Sequence, residues 1–136
     1  HDVCFGLHVT LTSEWDAIKW GPVSKDVAGL VTEQGYFPAE SQWHIGCVVI
    51  KEALKECKAQ LSKLRDLGFR ITYLDEHMGV AYYHMPELHQ ALIDFAKHEG
   101  LYHVDVIKPL REIDLSHDAL IHFKQRLDGY NDGEFI

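Results

Sequence analysis

The chain has 136 residues, 46% of them hydrophobic and 25% charged, a composition typical of a folded globular protein rather than a disordered one. With 21 acidic and 13 basic residues its net charge is −8, which argues against a nucleic-acid partner. The sequence contains no run of about 18 apolar residues, so we expect no membrane span and a cytoplasmic protein. The cysteines form no CxxC pair and are expected to be buried small hydrophobic residues; they are Cys4, Cys47 and Cys57.

The first predicted element is a strand over residues 3–11, "VCFGLHVTL". Apolar residues alternate along it and should share one face, while His8 belongs to the smaller, more polar face. Residues 12–42 are rich in glycine and proline and predict a long irregular loop, of the kind that often carries function. The loop contains four aromatic residues that could stack on a sugar or fill a loop core: Trp15, Trp20, Tyr36 and Phe37.

A helix is predicted over residues 50–67, because apolar residues recur at steps of three and four. Gly68 can supply its left-handed stop. Charged residues are expected to cover the outer face of this helix: Lys51, Glu52, Lys55, Glu56 and Lys58.

The remaining elements alternate between strands and helices. "FRITYLD" (69–75) and "LYHVDVI" (101–107) predict strands, Pro86 begins a helix that ends at Gly100, and Ser116 begins a last helix that ends near Gly129. Such alternation predicts an α/β fold of parallel strands joined by crossover helices. Sites in these folds gather at the carboxyl ends of the strands, where His8 and residues 75–77 fall.

His8 and His77 are the candidate metal ligands. Imidazole is a common ligand for zinc, and a catalytic site uses three protein ligands and keeps one position open. Spacing alone leaves a second interpretation open, in which both are ordinary hydrogen-bonded histidines near the core.

"GLHVTLTSEW", a Gly/Pro loop with "GYF", a helix, "ITYLDEHMG" and then "PEL" with an amphipathic helix follow one another in the chain. This series resembles the YdjC-like carbohydrate deacetylases, the family of chitooligosaccharide deacetylases. The resemblance implies a (β/α) barrel-like fold, here a single partial domain over residues 1–136 that is incomplete at both ends. It also implies a divalent metal, zinc or magnesium, held by one aspartate and two histidines, which match His8 and His77. The reaction would be hydrolysis of an acetamido group on an amino sugar, with release of acetate.

Two features of that family are missing from this sequence. There is no paired-aspartate motif (D-D-x-G), the source of the third ligand and of the expected base, and no later histidine in a His-Pro context. We therefore expect that the chain alone does not catalyse. The remaining candidates for catalysis are Asp75, which could orient a ligand histidine or cap backbone amides, and Arg111, which could pair with an active-site carboxylate or be a surface arginine. Trp20 is the candidate for substrate contact.

Other polar residues near the motif have two interpretations each. Glu76 stands where the family usually has serine; it could alter metal affinity, but is expected to point outward, because alternate strand residues face opposite sides. His84 and His89 could border the site, but each is expected on a helix surface. No role is predicted for four further histidines: His98, His103, His117 and His122.

The expected partner is an N-acetylated sugar or oligosaccharide, with no nucleic acid and no membrane; a homo-oligomer stays open. Two alternatives to the deacetylase are kept. One is a carbohydrate-binding module without catalysis, and the other is a related metallohydrolase that acts on an amide other than a sugar.

Overall fold

The structure is a computed structural model that describes residues 3–40 and 50–106. Three strands and three helices lie in these ranges: β1 (Phe5–Val9), α1 (Ile50–Asp66), β2 (Ile71–Glu76), α2 (Val80–His84), α3 (Pro86–His98) and β3 (Tyr102–His103). The predicted last helix, as well as Arg111 and Cys47, lies outside the described residues. Within the described ranges, no helix is both long enough and apolar enough to cross a bilayer.

The three strands form one parallel sheet in the order β1-β2-β3. This confirms the predicted α/β class with parallel strands. The part of the chain that the structure describes forms a three-stranded sheet and not a closed barrel. In the register of β1 on β2, His8 pairs with Asp75 and Val9 pairs with Glu76, so the carboxyl ends of the two strands lie side by side.

Helix α1 runs as the apolar spacing predicts, and Ala53, Cys57 and Leu61 on its inner face are fully buried. Gly68 follows the helix with φ +90°, the left-handed stop that glycine adopts without steric cost. The expectation that Glu56 covers the outer face is wrong, because its side chain is fully buried. Glu56 lies three residues after Ala53 and beside Cys57, so helical geometry places it on the inner face despite its charge.

Glu56 fastens the long loop to α1. Its carboxylate accepts hydrogen bonds from the backbone N–H groups of Val23 and Ser24, at 2.9 and 2.8 Å, and from the Ser24 hydroxyl at 2.6 Å. The loop is irregular as predicted, with a short 3-10 turn at Ala28–Leu30. Phe37 is buried in its core, at 3% exposure.

Helix α3 begins at Pro86 and buries Leu88, Leu92 and Ala96, as the sequence predicts. The separate helix α2, only five residues long, was not predicted from the sequence. The third strand is shorter than predicted, because the chain turns into a 3-10 helix at Val104–Val106 directly after β3.

The amino-terminal part of the first predicted strand is not in the core. Val3 and Phe5 are exposed, at 69% and 43%, and Cys4 is exposed as well, contrary to expectation. The strand is covered only towards its carboxyl end, where the Gln60 amide of α1 bonds both backbone groups of Thr10. Core burial therefore begins at Leu7.

Candidate functional site

The site begins with a carboxylate and an imidazole on neighbouring strands. His8 and Asp75 occupy paired positions of β1 and β2, where side chains of parallel strands stand next to each other. Nδ1 of His8 lies 2.9 Å from Oδ2 of Asp75. Because an ionised carboxylate can only accept, we assign the proton to Nδ1 of His8.

His77 follows β2 in a tight 3-10 turn, His77–Gly79. Met78 and Gly79 both have positive φ, 58° and 60°, and for Met78 this left-handed conformation carries a steric cost. The turn brings the His77 ring against that of His8, with ring centroids 5.1 Å apart and planes at 86°. Nε2 of His8 and Nδ1 of His77 are 3.0 Å apart.

Glu14 is the fourth side chain of the site, after Asp75, His8 and His77. It was not predicted as a site residue. Its Oε2 atom lies 2.9 Å from Nε2 of His77. Burial works to raise the pKa of Glu14, but the interactions that lower it, with the His77 hydrogen bond foremost, prevail, so its pKa lies below the ordinary value. Glu14 is therefore a carboxylate that accepts from Nε2 of His77. Its only sequence signal is its place inside "GLHVTLTSEW".

The two carboxylates determine what the facing nitrogens can do. If Asp75 takes the Nδ1 proton of His8 and Glu14 takes the Nε2 proton of His77, both neutral rings turn an unprotonated nitrogen towards each other. Two lone pairs at 3.0 Å repel unless a proton or a cation lies between them. The two facing nitrogens are therefore suited to bind a proton or a metal cation between them.

The same geometry suits a metal ion. Two nitrogens that each lie about 2.0–2.1 Å from one zinc ion, at tetrahedral or smaller angles, are themselves about 3 Å apart. Histidine ligands also commonly donate their second ring N–H to a carboxylate, as both histidines do here. Within the described residues, however, no third ligand atom converges with Nε2 of His8 and Nδ1 of His77.

A cavity of about 680 Å³ opens beside this pair, and both His8 and His77 line it. Trp20 forms part of the same wall, together with Gly6 of β1 and Gln60 of α1. The indole Nε1 of Trp20 is buried and has no hydrogen-bond partner within the described ranges. The cavity is thus lined by an aromatic residue and the two imidazoles.

The expectations for Glu76 and His89 are wrong. The Glu76 side chain does not point outward: it is 7% exposed and its Oε1 lies 2.6 Å from Nδ1 of His89. His89 accordingly lies inside the protein, at 16% side-chain exposure, rather than on the helix surface. His103, for which no role was predicted, is buried at 3% and lies close to Glu76. The cause is that α3 and β3 cover the end of β2.

The other candidates lie apart from the two histidines. His84 is partly exposed and contacts Glu40 at 3.2 Å. Trp15 and Tyr36 are exposed, at 64% and 44%. His98 lies at the end of α3 with 85% of its side chain exposed.

Known proteins resemble the chain in both sequence and fold. A carbohydrate deacetylase of Thermus thermophilus is 38% identical over 76 residues, which cover 54% of this chain and 27% of that protein. A crystal structure of an Enterococcus faecalis protein that is named for cellobiose-phosphate cleavage superposes with a TM-score of 0.65 at 22% identity. That match covers 93% of this chain and 54% of the other, and it shows a common fold.

The chain thus spans only part of the length of both relatives. The family model described as YdjC-like protein matches residues 1–131, which is nearly the whole sequence. The chain belongs to the YdjC-like family.

Proposed function

We propose that this chain is part of a metal-dependent carbohydrate deacetylase that hydrolyses acetamido groups of N-acetylated amino sugars or oligosaccharides. Residues 1–136 would contribute to one deacetylase-like domain, in which further strands extend the parallel sheet towards a barrel. The name of the Thermus thermophilus relative and the family membership support the reaction class.

The observation that carries the proposal is the 3.0 Å approach of Nε2 of His8 to Nδ1 of His77. Each histidine has a carboxylate on its other nitrogen, so each offers a lone pair to the same point. A donor set rich in imidazole favours zinc over magnesium, which prefers oxygen ligands. His8 and His77 would hold the ion.

Amide hydrolysis explains why these residues are useful. An amide is a poor electrophile and water a poor nucleophile, and a bound divalent ion supplies the polarisation of the carbonyl and the activation of water. Asp75 keeps the proton on Nδ1 of His8, and Glu14 keeps the proton on Nε2 of His77, so both lone pairs stay aimed at the site. Arg111, outside the described residues, is proposed to pair with an active-site carboxylate.

Trp20 is proposed to bind the sugar. Its ring lines the cavity next to both histidines, and aromatic faces suit the apolar faces of pyranose rings.

Metal binding provides the first test. Calorimetric titration with zinc should show that His8→Ala and His77→Ala each remove one bound equivalent, whereas His98→Ala, which changes an exposed histidine, removes none. Equal zinc binding by the unaltered chain and by the two site variants would refute the assignment.

Activity provides the second test. The full-length gene product should release acetate from N-acetylated chitooligosaccharides, and His8→Ala and His77→Ala should abolish the release while His98→Ala retains it. Acetate release that survives both site substitutions contradicts the proposed roles.

A carbohydrate-binding module without catalysis is the second candidate. It is favoured by one observation: the described residues bring two imidazoles together, whereas a catalytic zinc site uses three protein ligands. It predicts that oligosaccharide binds and quenches Trp20 fluorescence with no acetate released under any metal loading. Release of acetate from an N-acylated compound that is not a sugar would instead indicate a related metallohydrolase.

A further inference from the structure

A second group of ligand-type side chains lies on the other side of the β2 end. Glu76 from the end of β2, His89 from α3 and His103 from β3 each bring one donor atom within 4.8 Å of the other two. Nδ1 of His89 lies 2.6 Å and Nε2 of His103 lies 3.5 Å from Oε1 of Glu76. None of the three takes part in the His8–His77 contact.

The group is largely shielded from solvent, with His103 buried and Glu76 and His89 partly buried, and one of its nitrogens has no hydrogen bond. His103 is 3% exposed, and its Nε2 has no hydrogen-bond partner among residues 3–40 and 50–106. Buried polar atoms in folded proteins are nearly always bonded. An unbonded imidazole nitrogen that faces a carboxylate and a second imidazole therefore points to a missing ligand.

The chemistry of the donors identifies the class of that ligand. Two imidazole nitrogens and one carboxylate oxygen are the ligands of many zinc and non-haem iron sites, whereas magnesium and calcium prefer oxygen alone. We propose that Glu76, His89 and His103 bind a divalent first-row transition ion such as zinc, at a site separate from His8 and His77.

The surroundings support this site. Oδ2 of Asp105 lies 3.3 Å from Nε2 of His89, the position from which a carboxylate orients a ligand histidine. Glu76 and His103 also line a cavity of about 440 Å³, through which an ion can enter.

Binding at this site costs two hydrogen bonds. Coordination through Nδ1 of His89 replaces its 2.6 Å hydrogen bond to Oε1 of Glu76, and the ring proton of His89 then belongs on Nε2, 3.3 Å from Oδ2 of Asp105. The backbone N–H of Asp105 lies 3.3 Å from Nδ1 of His103, so this nitrogen accepts and the ring proton belongs on Nε2. Coordination through Nε2 moves that proton to Nδ1 and breaks this long hydrogen bond, which is weak at such a distance. In return, the ion links β2, α3 and β3 through one side chain of each. Its ligand from β2, Glu76, is the residue next to His77.

The experiment uses the 136-residue chain with His8→Ala and His77→Ala, which removes the first pair. Calorimetry with zinc should still find one equivalent, and His89→Gln or Glu76→Gln added to this background should weaken binding by more than about tenfold. His84→Gln, which alters a histidine outside the group, should leave the affinity unchanged. Absence of the remaining equivalent in the background protein overturns the proposal.

A second measurement avoids substitution of buried residues. In the unaltered chain, nitrogen NMR of the histidine rings should show that zinc shifts Nδ1 of His89 and Nε2 of His103, while the exposed His98 ring keeps its resonances. Zinc uptake with unchanged His89 and His103 resonances means that the ion binds elsewhere, and the proposal fails. This outcome is independent of the His8–His77 site, because the two sites share no side chain.

Discussion

Asp75 and His8 face each other across β1 and β2, with Oδ2 2.9 Å from Nδ1, and this contact decides which His8 nitrogen is free. A neutral histidine carries one ring proton, so the carboxylate that holds it on Nδ1 leaves Nε2 as an acceptor. The free nitrogen is the one that faces His77. The strand register thus determines which ring nitrogen of His8 carries the proton and which one faces His77 as an acceptor.

The first prediction concerns Asp75. Asp75→Ala should remove the preference for a proton on Nδ1 of His8 and weaken zinc binding by about 10–100-fold, the usual effect of losing an outer partner of a ligand histidine. Nitrogen NMR reports the ring tautomer and calorimetry the affinity. Asp94→Ala, on the exposed face of α3, should change neither. An unchanged His8 tautomer in Asp75→Ala would show that the carboxylate does not set it.

The second prediction concerns Glu56, which holds the loop against α1. Glu56→Ala leaves the partly buried N–H groups of Val23 and Ser24 without their acceptor, and a donor left unpaired away from water costs about 1–3 kcal/mol. We expect the free energy of unfolding to fall by at least about 2 kcal/mol in urea titrations.

Glu52→Ala is the matched control for Glu56→Ala, because Glu52 lies on the same helix and accepts one exposed hydrogen bond, from Gly29. Its loss should be below about 1 kcal/mol. Equal losses for the two variants would mean that the buried contacts of Glu56 contribute no more than a surface contact.

The sequence predicts those parts of the fold that depend on local pattern. Helices α1 and α3 repeat apolar residues over several turns, and a glycine with positive φ lies two residues beyond the end of each, so their bounds could be predicted closely. Helix α2 has only five residues, too few to show a period. The four side chains of the site could not all be predicted. Glu14 contacts His77 only because of the conformation of an irregular loop, which local pattern does not predict.

The expectations for Glu56 and Glu76 failed for different reasons. Glu56 was grouped with the charged residues opposite the apolar positions of its helix, and Glu76 was expected to point outward because strand residues alternate between two faces. Glu56 is buried by the loop that folds over α1, and Glu76 by α3 and β3. Helical spacing from Ala53 indicates the inner position of Glu56, but the contacts that bury both side chains come from segments distant in the chain, which local pattern does not reveal.

The third prediction concerns Gly6, which pairs with Tyr73 across the strands. A Cβ at residue 6 would lie 2.1 Å from Cε2 of the Tyr73 ring, far inside van der Waals contact. Gly6→Ala should therefore displace the ring and destabilise the protein by about 1–3 kcal/mol. In a Tyr73→Ala background the same substitution should cost much less. Urea unfolding of the four proteins measures this coupling, and identical costs in both backgrounds would contradict the steric explanation.

The fourth prediction concerns the pH dependence of stability. Glu99 receives ion pairs from Lys58 and from Arg65, the latter at 2.7 Å, and these hold the pKa of Glu99 below its ordinary value of 4.5. A lowered pKa in the folded state means that the unfolded chain binds the proton more readily. The stabilisation is therefore complete above the unfolded pKa and is lost as the pH falls through the folded pKa.

Glu99→Gln removes the charge at every pH, so it should be less stable than the unaltered protein at pH 6, and the gap should close as the pH falls towards about 3. Urea unfolding at a series of pH values measures the gap. Glu33→Gln, which changes an exposed loop residue, should show a much smaller gap throughout. A Glu99→Gln gap that stays constant down to low pH would mean that neutral hydrogen bonds, rather than the charge of Glu99, join α1 to the end of α3.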